Sequence, residues 1–226
     1  TKIMTAYVVY KLERQGRLSF NDKFTVSRYA HKRGGSTMFL REGEKVSVKN
    51  LLIGLMILSG NDAAITLAEN ISGSEANFAG LMNEAARSLG MTNTRFKNPS
   101  GWPAEGHYST ARDLALLSAA LIQEFPQQYK MFSRRDFKWG GVAQANRNPI
   151  LGNIQGADGL KTGHTNAGGY GFAGSAMAGD RRIIMVVNGL NSKSARRSES
   201  RRIMDWAQRT FSTYALLRDN QVVEHA

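Results

Sequence analysis

The chain contains no cysteine, which excludes disulfides and thiolate zinc sites. That absence suits a cell-envelope protein that needs no oxidative folding, and it suits many cytosolic proteins equally. Histidine is scarce as well: only four are present. None of them sits in an H-E-x-x-H pattern and the acidic residues do not group, so neither a metal nor any other cofactor is expected. Long apolar runs are missing too. The longest candidate, Leu51 to Leu58, is too short to cross a bilayer and reads as a buried helix. No signal peptide opens the chain; Lys2-Ile3-Met4 begins inside an element, so a longer mature protein is expected.

Acidic residues are few beside basic ones, 18 against 30, which leaves a net charge of +12. A surplus of this size attracts polyanions in general. The basic residues are scattered, however, and no nucleic-acid module or interleaved basic-aromatic stripe occurs, so nucleic acid is not an expected partner. The one dense stretch, Lys193 to Arg202, reads as the solvated face of a helix. An anionic lipid surface or polymer is the better match for the surplus.

At 226 residues the chain is long enough for one large domain, or for a domain plus a fragment. Ile3 to Gln15 carries an apolar helical stripe of Ile3, Met4, Tyr7, Val8 and Leu12, ended by Gly16. Phe20 to Val48 is short strand and loop material. Helices follow: Ser47 caps 49–58, Asp62 opens a helix to about Ile71, and Ser74 caps 75–89. Thr110-x-x-Asp113 makes a capping box for 111–125, closed by Pro126. After about residue 150 the period becomes two. Gly171–Ala178 and Arg182–Val187 read as strands joined by the Ala178-Gly179-Asp180-Arg181 turn, and a last helix from about Ser194 places Ile203, Trp206, Phe211 and Tyr214 inward. This order predicts an α+β fold, an antiparallel sheet flanked by helices plus a helical subdomain.

Two short polar boxes, Ser59-Gly60-Asn61 and Lys161-Thr162-Gly163, stand about a hundred residues apart, and Thr1-Lys2 reads as the back half of an S-x-x-K box. No serine in the chain is followed three residues later by lysine. Each piece alone has a plainer reading. Lys2 is then a solvated lysine that opposes the helix dipole. Ser59-Gly60-Asn61 is a helix–helix turn, and Arg147 in Asn146-Arg147-Asn148 is a structural loop arginine. Gly156 to Thr162 is not a P-loop, because Leu160 stands where that motif needs glycine before the lysine. An edge strand suits Leu160–Thr165 better.

Taken together, in this order and spacing, the boxes resemble the S-x-x-K, S-D-N and K-T-G set of penicillin-recognising serine enzymes, with S-G-N as the middle box. Over nearly its whole length the chain resembles the D-alanyl-D-alanine carboxypeptidases, the low-molecular-mass penicillin-binding proteins. The resemblance implies a transpeptidase/β-lactamase-like catalytic domain over 1–216 with a helical subdomain at about 49–146. Two further sheet strands would precede the S-x-x-K helix, outside this chain. Residues 217–226 would start a linker or a second, β-rich domain. It also implies a nucleophilic serine just upstream of residue 1, with Lys2 as its base, lowered in pKa by burial and by Lys161. Ser59 would relay a proton, and Asn61 would hold the substrate's amide carbonyl. Lys161, Thr162 and Arg147 would bind a terminal carboxylate, and Gly163 would let an extended peptide approach. The His164 backbone N–H would complete an oxyanion hole while its side chain shapes the pocket. Ala167-Gly168-Gly169 and Pro149 depart slightly from the family pattern and bear on loop shape.

The partners so implied are peptidoglycan stem peptides ending in D-Ala-D-Ala and β-lactam antibiotics. The implied place is the periplasmic or extracytoplasmic side of the inner membrane, with peripheral association through a segment beyond the chain's C-terminus. Two other readings stay open: a non-catalytic peptidoglycan-binding module, if no serine precedes Lys2, and an endopeptidase or β-lactamase of the same fold. The β-lactamase reading is disfavoured by S-G-N and by the distance between Glu124 and Asn146, which rules out an E-x-x-x-N deacylation loop.

Overall fold

A computed structural model describes residues 1–212. Tyr214 and the 217–226 segment lie outside the described residues.

The first helix, α1 (Lys2–Arg14), is buried on nearly every face. Its expected apolar stripe is widened by Ala6, Val9 and Tyr10, and even Thr5 is enclosed, donating its hydroxyl to the Pro99 carbonyl at 2.7 Å. A buried hydroxyl needs such a partner. α1 therefore works as the central post of the core rather than as a surface helix. Strand β1 (Lys23–Thr25) pairs antiparallel with β2 (Lys45–Ser47), and the short α2 (Arg28–Lys32), which the sequence pattern did not show, lies between them.

Ser47 caps α3 (Val48–Ile53) through Asn50 N–H, as expected. The helix then widens into a π-turn at Gly54–Leu58 and ends at Ser59, which holds a left-handed conformation with φ 62°. Next come α4 (Asn61–Ser72) and α5 (Glu75–Ser88), the latter capped by Ser74. Asp62 does not cap α4. Its buried carboxylate accepts from Thr37 Oγ1 and from the Met38 and Leu40 backbone N–H groups, and so ties the 37–40 loop to the start of the helix. Thr110 caps α6 (Ala111–Glu124), but the return half of the capping box is not made. Asp113 accepts from Asn93 N–H and Thr94 Oγ1 instead. Pro126 ends α6 and also opens the next turn, α7 (Pro126–Tyr129).

Residues 136–145, near the end of the 49–146 stretch, are not helical. They form a hairpin of β3 (Asp136–Trp139) and β4 (Val142–Ala145). The main sheet is antiparallel, with β5 (Ala157–Thr165), β6 (Gly169–Ala178) and β7 (Arg181–Leu190) in sequence order and a two-residue turn at Gly179-Asp180. β5 is an edge strand, as its sequence suggested.

α8 (Lys193–Thr210) is capped by Ser192 and lies on this sheet. Its inward stripe is Arg196, Ser200, Met204 and Ala207. Trp206 lies on the opposite side of the helix, and Phe211 follows the helix end. Both are more than half exposed, contrary to the expected inward placement. One large apolar core surrounds α1, α3, α4, α5 and α6. A smaller one, with Phe172, Met185 and Met204, fills the space between the sheet and α8. The fold is α+β, with helices packed against an antiparallel sheet.

Candidate active site

The three boxes converge where the first residues of α1 and α4 meet the edge strand β5. Lys2 is the first residue of α1. Its amine donates to Asn61 Oδ1 at 2.8 Å and to the Ser100 carbonyl at 2.6 Å. Part of the Lys2 residue is accessible, but its amine end is enclosed. Burial lowers its pKa to about 7, the charge of Arg147 adds to the lowering, and Asp62 opposes it. Arg147 is thus a cation that the sequence did not single out as a neighbour of Lys2, and Lys161, the expected neighbour, is also linked to Lys2, whose charge lowers the Lys161 pKa.

Asn61 opens α4 and is held on two sides. Its Nδ2 donates to the Gly34 carbonyl at 2.9 Å, and its backbone N–H donates to Ser36 O at 2.7 Å. Ser59 sits two residues earlier in its left-handed conformation. Such a conformation is costly for a residue with a side chain and persists only where the surroundings enforce it. Here the π-turn enforces it: both Ser59 N–H and Gly60 N–H donate to the Gly54 carbonyl. Gly54 in turn permits close packing, since an added Cβ would overlap the Met38 sulfur.

Across the cleft, Lys161 projects from β5 with its amine enclosed, donating only to the Thr162 carbonyl at 3.1 Å among the described residues. Its pKa falls well below the usual lysine value, first through burial and then through Lys2, Arg147 and Arg196. Arg147 follows β4 and donates to Ser36 Oγ at 2.7 Å. Thr162 and Gly163 continue the strand, and nothing lies within 4 Å of a Cβ added at Gly163, so the strand face there is open. His164 pairs across to Tyr170 in β6, with ring centres 4.0 Å apart.

Arg196 was not expected at the site. It lies in the dense basic stretch read as a solvated face, yet it is buried, with its guanidinium 5.5 Å from the Tyr170 ring centre. Nη1 donates to the Gly163 carbonyl at 3.1 Å, which fixes the edge strand beside Lys161. Burial and Arg147 lower its pKa from the usual arginine value. Asp62, which anchors the loop, and the Ser100 carbonyl, which holds Lys2, were also missed. Only Arg196 had a signal in the sequence: its spacing of four and eight from Ser200 and Met204 marks the inward stripe.

Lys2, Lys161, Arg147 and Arg196 therefore surround one cleft, and among the described residues Asp62 is the one carboxylate found to act on Lys2, Lys161 or Arg196. Such a cleft favours an anionic ligand. No group of three or more metal-ligating side chains occurs among the described residues.

The sequence profile of the D-alanyl-D-alanine carboxypeptidase family matches residues 1–192. The D-alanyl-D-alanine carboxypeptidase DacD of Salmonella typhimurium is 40% identical over 99% of the chain and 59% of its own length. The chain thus spans little more than half of that relative. The crystal structure of DacD from Francisella tularensis superposes with a TM-score of 0.94 at 35% identity, covering 98% of this chain and 66% of that one. Penicillin-binding protein D2 of Listeria monocytogenes, solved in a cefotaxime-bound form, superposes at 0.81 with 34% identity, covering 90% and 83%. Profile, relatives and fold agree with the three boxes: the chain belongs to the D-alanyl-D-alanine carboxypeptidase family.

Proposed function

We propose that the protein is a serine-type D-Ala-D-Ala carboxypeptidase. It removes the terminal D-alanine of peptidoglycan stem peptides through an acyl-enzyme, on the extracytoplasmic side where that polymer lies, and β-lactams acylate it. The nucleophile in this scheme is the serine of the S-x-x-K box, three positions before Lys2 and so one helical turn away.

The observation that carries the reading is the state of Lys2. A pKa of about 7 leaves much of the amine neutral at physiological pH. A neutral amine has two N–H bonds and one lone pair. The two acceptors, Asn61 Oδ1 and Ser100 O, take both N–H bonds. The lone pair is then the only part of the group left to take a proton, as a general base requires.

Lys161, Thr162 and Arg147 clamp the substrate's terminal carboxylate, which supplies the anion that the cation-rich cleft lacks. Asn61 binds the amide carbonyl of the acyl part, and Ser59 passes a proton to the departing D-alanine. The backbone N–H of His164 and that of the serine stabilise the oxyanion. Gly163 leaves room for the peptide to lie along β5 as an added strand. The proton that Ser59 passes on is the one Lys2 took from the serine, so Lys2 is neutral again. It then takes a proton from the water that attacks the acyl-enzyme and hands it to the serine oxygen as the shortened peptide leaves.

The mass of the intact full-length protein, measured with and without penicillin, tests the scheme. One drug mass is expected on a peptide that ends at or near Lys2. No adduct, or an adduct on a serine numbered in this chain, overturns it.

A further inference from the structure

The scheme uses the second half of β5 and leaves the first half without a part. β5 has a neighbouring strand, β6, along one edge only. Its pairing with β6 is irregular at one place. Ala157 lies opposite Ala176 and Gly159 opposite Ser175, so Asp158 is an extra residue with no partner in β6, a β-bulge. From Gly159 to Thr165 the pairing runs one to one, and it sets Lys161 opposite Ala173. Ala173 belongs to the helical core, so that is the face on which Lys161 stands. Side chains alternate between the faces of a strand, and a slip of one residue turns every one of them over. Without the extra residue Lys161 would stand opposite Phe172, which packs beneath α8 on the other face. The bulge therefore decides whether the Lys161 amine reaches the cleft.

Side chains from other elements hold the bulged residue. Tyr129, at the end of α7, donates its hydroxyl to Asp158 Oδ1 at 2.6 Å. Arg182, near the start of β7, grips the same carboxylate with two nitrogens, Nη1 to Oδ1 and Nη2 to Oδ2, each at 2.9 Å. Its Nη1 also donates to Ser175 Oγ at 2.6 Å, and Ser175 is where one-to-one pairing resumes. Arg182 thus reaches across β6 and ties the bulge to β7. Its guanidinium carbon lies 5.3 Å from the Tyr129 ring centre. Gly159 permits this closeness, since an added Cβ would overlap the Tyr129 hydroxyl. A single exposed ion pair would add little. This one is mostly enclosed, bidentate and shares its carboxylate with a hydroxyl. A slipped strand would carry Asp158 away from both donors, so the contacts favour one register over the other. Among the described residues, none of these four side chains hydrogen-bonds to Lys2, Asn61, Lys161 or Arg147.

We infer that Asp158 is a positioning residue: gripped by Tyr129 and Arg182, it fixes the bulge and with it the register of β5, and so delivers Lys161 to the substrate's terminal carboxylate. This inference rests on the carboxypeptidase reading, in which Lys161 belongs to the carboxylate clamp, and adds to it a part that touches no reacting atom.

The test is a double-mutant cycle in the full-length protein, read as the rate of acylation by fluorescent penicillin, which carries a carboxylate for the same clamp. Asp158→Asn keeps the size of the side chain and removes the charge that Arg182 pairs with. It is expected to slow acylation by about tenfold to thirtyfold with Lys161 in place, and by less than about twofold when Lys161→Ala is already present. Tyr129→Phe keeps the ring and removes one donor. It should cost about fivefold with Lys161 in place and less than about twofold without it. A role in stability alone would slow acylation equally in both backgrounds, and that result overturns the inference. So does a rate within about twofold of the parent for each single variant. If Asp158→Asn does not fold, the Tyr129→Phe cycle decides by the same two criteria. A parent that is acylated while the losses simply add overturns the positioning role alone. A parent that is not acylated overturns the carboxypeptidase reading, and the positioning role with it.

Discussion

Lys2 and Lys161 are both enclosed lysines with lowered pKa values in one cleft, yet their surroundings differ. Lys2 stands at a helix start with two good acceptors, at 2.8 and 2.6 Å. Lys161 stands on an edge strand, with one weak contact to the next residue's carbonyl and with Arg147 and Arg196 as neighbours. The first environment satisfies a neutral amine. The second leaves the group with donors to spare, amid like charge, which a bound anion would relieve. Residue type and burial are therefore not enough to assign a role. The partners already in place separate the proposed base from the proposed clamp.

The comparison is best broken at Lys2. Arginine keeps the charge but stays protonated in a protein. Lys2→Arg in the full-length protein is expected to slow acylation by fluorescent penicillin by about 10²–10⁴-fold, the usual worth of a general base. A rate within a few-fold of the parent would mean that another group takes the serine proton. Lys161→Ala comes next. It should cut kcat/KM for the peptide by about 10², as expected when one partner of a charged contact is lost, while the melting temperature stays nearly unchanged because a repelled cation is removed. Retained activity with a large loss of melting temperature would make Lys161 a structural residue.

Arg196→Ala should cost less, about tenfold in kcat/KM, because it acts on the edge strand through the Gly163 carbonyl rather than on reacting atoms. Arg196→Lys, which can still donate to that carbonyl, should recover part of the loss. No recovery would point to charge instead of position.

The smallest expected effect concerns pH. In the proposed scheme Lys2 works as a neutral amine, so acylation should rise through about pH 7 to a plateau. Arg147 lowers the Lys2 pKa, so Arg147→Ala should raise it and move the half-maximal point to higher pH, by about a unit or less. A shift to lower pH, measured as the acylation rate of the variant across pH 5 to 9, would contradict the electrostatics described here.

The helical caps at Ser47, Ser74 and Thr110 and the hairpin turn at Gly179-Asp180 were legible because each rests on local chemistry. The meeting of Lys2, Asn61 and Lys161 could be anticipated only through the resemblance, since no local rule brings residues 2, 61 and 161 together. What stayed hidden was decided by tertiary contacts. Asp113 has the spacing of a capping box, but buried donors from the 93–94 loop claim its carboxylate. Trp206 has the apolar character of a core residue, but Arg196, Ser200 and Met204 already define the buried stripe of α8. Arg196 was misread for the opposite reason. A charged side chain in a run of charges looks solvated until a carbonyl and an aromatic ring are found around it. The short α2 and the β3–β4 hairpin carry patterns too brief for periodicity to register.

The π-turn at Gly54–Leu58 has a consequence for how this chain can change length. A π-turn is an α-helix with one residue added, and a residue in a regular helix turns the chain by about 100° and advances it by about 1.5 Å. Removing a single residue between 54 and 58 would leave a regular apolar helix with the same side-chain chemistry. It would also swing Ser59 and Asn61 away from Lys2. Substitutions that keep bulk within this segment can be absorbed by the surrounding core, whereas deletions and insertions cannot, so the residue count between Ser47 and Asn61 is as binding a constraint on this site as the identity of the residues that form it.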